Sequence, residues 1–129
     1  MDRYSLFSGM VVHGDEIGRT MGFPTLNIAF TQGVIPSDGV YVVETEIDDV
    51  VYYGMMSIGN RPTFNDSADK TIEIHLLHVN ENMYGKKVKV VPLQFVRPNK
   101  KFTSADELKL QLEKDKIIAD QFIKNRYTD

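Results

Sequence analysis

Chemistry in this chain is concentrated first in one run, Gly14-Asp15-Glu16-Ile17-Gly18-Arg19-Thr20-Met21-Gly22-Phe23-Pro24-Thr25-Leu26-Asn27. Glycines 14, 18 and 22 let a backbone turn tightly and approach a ligand. Successive N–H groups in such a turn make a concave nest for anions. Arg19 inside it adds a permanently charged fork that suits phosphate oxygens. Thr25 and Asn27 lie two residues apart, so in a strand their side chains leave the same face. A hydroxyl and an amide oxygen side by side are hard oxygen donors of the kind Mg²⁺ takes. The run is not a common P-loop, because no Gly-x-x-x-x-Gly-Lys-Ser/Thr occurs. From the residues alone, a plain hairpin loop with one arginine stands beside the phosphate nest as a reading.

Glu73 is the second feature. It sits between Ile72 and Ile74, in an alternation that puts Ile72, Ile74 and Leu76 on one face of a strand and Thr71, Glu73 and His75 on the other. A carboxylate on a rigid strand can serve as a general base if a hydroxyl comes within hydrogen-bond reach; it can equally be a solvated strand residue. The third feature is Arg97, Lys100 and Phe102, two cations and a ring that could hold a planar polar ligand or merely cover the start of a helix. Tyr84 could wall a pocket or fill a core. His75 and His78 are three apart, which in a strand puts them on opposite faces and argues against a joint metal site. No cysteine is present, so a thiolate metal site, a thiol nucleophile and a disulfide framework are excluded.

The elements that must carry these residues read mostly as strands. Leu6–His13 is a first strand, and residues 25–30 alternate with the strand period. Val40–Ile47 and Val50–Ile58 form a hairpin around Asp48-Asp49. Gly59–Phe64 breaks the pattern, and Asn65–Lys70 reads as a polar loop. Thr71–Val79 and Lys86–Val96 are further strands, the last with an edge or a bulge at Pro92, which has no N–H for a ladder. Ser104-Ala105-Asp106-Glu107 has the form of a helix capping box. Leu108, Leu112, Ala119 and Phe122 then make a helical stripe. Asp115 falls on that stripe and needs a partner or a solvent edge. Short strands with turns between them predict a barrel or sandwich, with one terminal helix packed against it.

With 129 residues, 42% hydrophobic and 26% charged, the chain has the size and composition of one globular domain. A net charge of −3 argues against a nucleic-acid partner. No run of about 18 apolar residues exists to span a membrane. The first residues lack a signal pattern, so the cytoplasm is the expected location.

The order of motifs resembles one family. The glycine run ending in Pro-Thr-Leu-Asn is followed by Pro-x-x-Gly-Val-Tyr, Ser-Ile-Gly-Asn-Arg-Pro-Thr-Phe, Ile-Glu-Ile-His-Leu-Leu-His, Met-Tyr-Gly and Val-Arg-Pro-x-x-Lys-Phe. This series is similar to the riboflavin kinase (flavokinase) domain, from about Leu6 to about Phe122. In bacteria that domain usually forms the C-terminal half of a bifunctional riboflavin kinase/FAD synthetase. The resemblance implies a six-stranded antiparallel Greek-key β-barrel with a C-terminal α-helix. It implies transfer of the γ-phosphate of ATP to the 5′-hydroxyl of riboflavin, giving FMN and ADP, with Mg²⁺ as cofactor.

Carried over by position, Glu73 is the catalytic base. The resemblance implies that Thr25 and Asn27 meet the metal and the ATP phosphates, and that Gly14 and Arg19 belong to the loop over them. Leu76, His78 and Tyr84 match positions around the nucleotide, and Arg97, Lys100 and Phe102 positions on the flavin side. The family box is often Pro-Thr-Ala-Asn; Leu26 replaces the alanine and is expected to point away from Thr25 and Asn27. The adenylyltransferase half carries a His-x-x-His type nucleotide motif; nothing like it is read in this chain, so the chain is not expected to make FAD by itself. The expectation is one kinase domain over 1–129, either single-function or part of a protein with an N-terminal FMN adenylyltransferase domain. A flavin- or nucleotide-binding barrel without catalysis is the alternative; Thr25, Asn27 and Glu73 occurring together weigh against it.

Overall fold

The computed structural model describes residues 4–13, 25–62, 68–79 and 81–126. Six strands, β1 (Phe7–Val12), β2 (Leu26–Gly33), β3 (Gly39–Ile47), β4 (Val50–Pro62), β5 (Ala68–Leu76) and β6 (Lys87–Arg97), precede one helix, α1 (Ala105–Arg126). All pairings are antiparallel, and the strands close a barrel in the order β1-β2-β5-β4-β3-β6. β3, β4 and β5 follow one another as neighbours, while the β2–β3 and β5–β6 connections jump to non-adjacent strands, as in a Greek key.

Period-two patterning explains the layers. Alternate residues such as Phe7, Val11, Ile28, Tyr41, Ile58 and Ile74 fill the barrel interior. Leu26 lies among them, facing away from the Thr25 and Asn27 side as expected. β3 is buried along both faces: Tyr41 and Val43 point inward, while Val40 and Val42 join Met55 in a second cluster under Ala119, Phe122 and Ile123 of α1. One helix therefore covers one outer patch of the barrel and creates a seam beside β3 and β4.

The hairpin at Asp48-Asp49 forms as read. Both residues have positive φ, 52° and 64°, the backbone of a tight turn matched to strand twist. Elsewhere the strands run differently from the sequence expectation. β4 does not stop at Gly59 but continues to Pro62, and its end pairs with Ala68–Lys70, a stretch whose sequence reads as loop. Long-range pairing outweighs local turn chemistry there. β5 ends at Leu76, before the expected Val79, and His78 takes a left-handed turn conformation with φ 61°. β6 has a neighbour on both sides, but its ladder with β1 ends at Val90, so Pro92 sits at a local edge, paired with β3 alone. The bulge expected there is present: the β3–β6 register shifts between Val42 and Val43, opposite Gln94 and Pro92. At the start of α1 the Glu107 N–H donates to Ser104 Oγ at 3.1 Å. The Glu107 carboxylate reaches one residue further back than a capping box requires, accepting from Thr103 Oγ1 at 2.7 Å.

Candidate functional site

A small polar array lies on the outer face of the barrel where β2, β5 and β4 run side by side. Asn27 pairs with Glu73 across the β2–β5 ladder, and Ser57 pairs with Glu73 across β4–β5. Direct cross-strand partners share a face and hold their Cβ atoms about 5 Å apart. Asn27, Glu73 and Ser57 therefore form one row over three strands. One step along the same ladder Thr25 comes opposite His75, and their side chains meet, Oγ1 to Nδ1, at 3.2 Å. All five side chains are half-buried. On the other side of β5, Gly54 lets β4 approach closely, since a Cβ there would stand 2.5 Å from the His75 carbonyl oxygen.

The array opens onto a cleft of about 230 Å³ between the barrel wall and α1. Thr25, Ser57, Glu73 and His75 line one side. Arg97 at the end of β6 and Asn99, Lys100 and Phe102 of the segment after it line another, and Leu108, Leu112 and Asp115 of α1 face them. The segment after β6 is fastened in place. Asn99 Nδ2 donates to the Ile58 carbonyl at 2.7 Å, and Ser57 Oγ donates to Asn99 Oδ1 at 3.4 Å. Lys100 Nζ lies 5.9 Å from the centre of the Phe102 ring, within cation–π range.

Arg97 is engaged within the protein. Its Nε and Nη2 donate to the two Asp115 oxygens at 2.9 and 2.7 Å, and Nη1 donates to the Pro98 carbonyl at 3.1 Å. Gln111 Nε2 adds a further bond to Asp115 at 2.9 Å. This supplies the partner that an acidic residue on an apolar helical stripe demanded. It leaves Lys100 as the cation of that segment that borders the cleft without such a clamp.

The cleft thus unites Thr25, Glu73, Arg97, Lys100 and Phe102, with Asn27 in the same row as Glu73. Leu76, His78 and Tyr84 are not among its lining residues. Leu76 turns its side chain into the barrel core. His78 Nε2 lies 2.9 Å from Asp120 Oδ1 of α1. Tyr84 stacks on His13 with ring centres 3.8 Å apart. Gly14 and Arg19 lie outside the described residues. His75-Leu-Leu-His78 does have bare His-x-x-His spacing, but the strand ends between the two histidines, so they do not act as one helical or strand motif. Sequence reading alone missed Ser57, Asn99 and Asp115 as cleft residues. Only Asp115 carried a signal, its acid on an apolar stripe.

Thr25 and Asn27 fit a hard divalent cation by donor chemistry: a hydroxyl and an amide oxygen on one half-buried face. Among the described residues no three His, Asp or Glu side chains gather into a metal site, so water and ligand oxygens would complete such a shell. No helix among the described residues is long and apolar enough to cross a membrane.

Comparisons with known proteins agree with this fold. A family model described as riboflavin kinase matches residues 1–123. The bifunctional riboflavin kinase/FMN adenylyltransferase of Escherichia coli K12 is 42% identical over 116 residues, covering 89% of this chain and 37% of the relative. The chain spans about two-fifths of the length of the bifunctional relatives it matches. A solved Streptococcus pneumoniae structure, titled a macrolide-efflux protein, superposes with a TM-score of 0.83 at 38% identity, over 88% of this chain and 38% of that one. Riboflavin kinase from Trypanosoma brucei shares the fold at a TM-score of 0.64 and 23% identity, over 96% of this chain and 82% of that one.

Proposed function

The chain belongs to the riboflavin kinase family, and from that premise we propose that it transfers the γ-phosphate of ATP to the ribityl 5′-hydroxyl of riboflavin. The observation that carries this reading is the row Asn27–Glu73–Ser57, whose Glu73 and Ser57 line a cleft together with Thr25, Lys100 and Phe102. A base, a pair of oxygen donors and a cation beside a ring are what phosphoryl transfer to a flavin alcohol requires in one place.

In this reading the 5′-hydroxyl oxygen attacks the γ-phosphorus in line with the bridging oxygen. The bond from that oxygen to the γ-phosphorus breaks and ADP leaves. Glu73 orients the hydroxyl and receives its proton. Phosphoryl transfer depends on positioning and charge stabilisation more than on covalent help, so one carboxylate and a rigid wall suffice. Thr25 and Asn27 would hold Mg²⁺, which when bound neutralises charge on the β- and γ-phosphate oxygens. Gly14 and Arg19 are assigned to the phosphates on the resemblance. Lys100 and Phe102 flank the flavin, and Arg97, clamped by Asp115, frames that side of the cleft. The kinase unit is one domain over the 129 residues; the adenylyltransferase named in the bifunctional relatives is a property of those longer proteins.

The test is direct. The protein incubated with riboflavin, ATP and Mg²⁺ forms FMN, resolved by chromatography. Binding of riboflavin and Mg-ADP without FMN formation would leave a binding barrel and remove the kinase.

A further inference from the structure

We propose that His75 is a positioning residue that fixes which way the Thr25 hydroxyl points, by accepting its proton at Nδ1. The inference rests on the kinase reading for its consequence and on the coordinates for its geometry. Oγ1 and Nδ1 are 3.2 Å apart, so one proton lies between them, and either atom could own it.

The two possibilities differ in what the oxygen offers. If Nδ1 carries the proton, it donates to Oγ1, occupies a lone pair and leaves the hydroxyl hydrogen to point elsewhere. If Nδ1 is bare, the hydroxyl donates to it and turns its lone pairs away from His75. An oxygen that meets a cation or completes its shell must present lone pairs, so its hydrogen has to be placed on the opposite side. An imidazole nitrogen at hydrogen-bond distance is a suitable receiver. The bond made by one ring nitrogen sets where the other proton sits, so His75 is then the Nε2–H tautomer.

The surroundings make this arrangement rigid. His75 and Thr25 continue the register set by Leu26–Ile74 and Asn27–Glu73, so the ladder holds the two side chains opposite each other. Threonine is branched at Cβ, which limits its side chain to few rotamers. Gly54 on the neighbouring strand keeps β4 close behind the His75 backbone. The result is a two-by-two array in which the hydroxyl meets an imidazole, and the residue bearing the amide stands opposite the one bearing the carboxylate across the ladder. In this role the imidazole acts through Thr25.

Two measurements test this. Nitrogen-15 spectra of the neutral His75 ring should show a bare Nδ1 and a protonated Nε2; the Nδ1–H tautomer would overturn the proposal whatever the enzyme does. Calorimetry of ADP binding with and without Mg²⁺ gives the second readout. His75→Leu should reduce the Mg²⁺-dependent gain in ADP affinity about tenfold, the weight of one hydrogen bond, with riboflavin affinity unchanged. His75→Asn, which returns an amide acceptor near the Nδ1 position, should restore most of that gain. A full gain in His75→Leu would overturn the role of His75 while leaving the kinase reading intact. No gain in the wild-type protein would overturn the metal site itself, and the proposal with it.

Discussion

The Arg97 guanidinium closes two hydrogen bonds on the carboxylate of Asp115, at 2.9 and 2.7 Å, with the Asp115 side chain only 3% exposed. This pair ties the end of β6 to the middle of α1 and sets the height of the cleft between them. Removing one member of a buried pair strands the other charge, which costs about 3–5 kcal/mol. Asp115→Ala should therefore lower unfolding free energy by about that amount in denaturant melts. The double variant Arg97→Leu/Asp115→Leu should recover a large part of the loss, since apolar replacements leave no orphaned charge. Equal destabilisation in single and double variants would show that the pair is not what joins helix to barrel.

Glu73→Gln keeps shape and hydrogen bonding and removes the base. Turnover should fall by about 10²–10⁴, the range of a positioned general base. Riboflavin affinity, read by flavin fluorescence, should persist. Near-normal turnover would take Glu73 out of the chemistry.

Thr25→Ala deletes one of two adjacent oxygen donors. Mg²⁺-dependent ADP binding should weaken, while binding measured without the metal should change little. An unchanged Mg²⁺ titration would count against Thr25 as a ligand.

How far these residues could be found without coordinates depends on sequence separation. Asn27 and Thr25 share a face by local alternation, and the isoleucines around Glu73 mark its outward side; both were legible. The Asp48-Asp49 turn and the start of α1 are also local. Asp115 announced an unmet need, but its answer, Arg97, lies eighteen residues away on another element. Asn99 reaches Ser57 and Ile58 over separations of 42 and 41 residues, and His75 meets Thr25 over 50. Such contacts follow from strand order in a closed barrel, which periodicity does not encode. The same cause explains β4 and β5: Gly59 and Pro62 signal a turn locally, and only the partner strand keeps them extended.

The start of α1 gives a pH dependence. Hydrogen bonds from the Thr103 hydroxyl and then its backbone N–H hold the Glu107 carboxyl below its ordinary value of 4.5. A carboxyl whose pKa is lower folded than unfolded stabilises the fold at pH above that ordinary value, and the contribution fades as pH falls through the lowered one. Glu107→Gln should melt below the wild type at neutral pH, and the gap should narrow on acidification through that window. A gap that stays constant with pH would mean the carboxylate's charge is not what Thr103 holds.

Thr45 carries the last expectation. It is fully buried in β3, between Tyr52 of β4 and Val90 of β6, and its Oγ1 is the one buried side-chain polar atom without a hydrogen-bond partner among the described residues. Burying a hydroxyl without a partner costs about 1–3 kcal/mol on mutational scales. Valine has nearly the same shape and no polar atom, so Thr45→Val should raise unfolding free energy by a similar amount. Thr45→Ser isolates the cause: it keeps the hydroxyl and loses a methyl, which should lower stability by about 1 kcal/mol. Thr45 is not among the residues lining the cleft, so FMN formation should be unaffected in both variants. If Thr45→Val were instead destabilising, the hydroxyl must be satisfied inside the barrel, and a buried water bridging it to a strand carbonyl becomes the structure to look for.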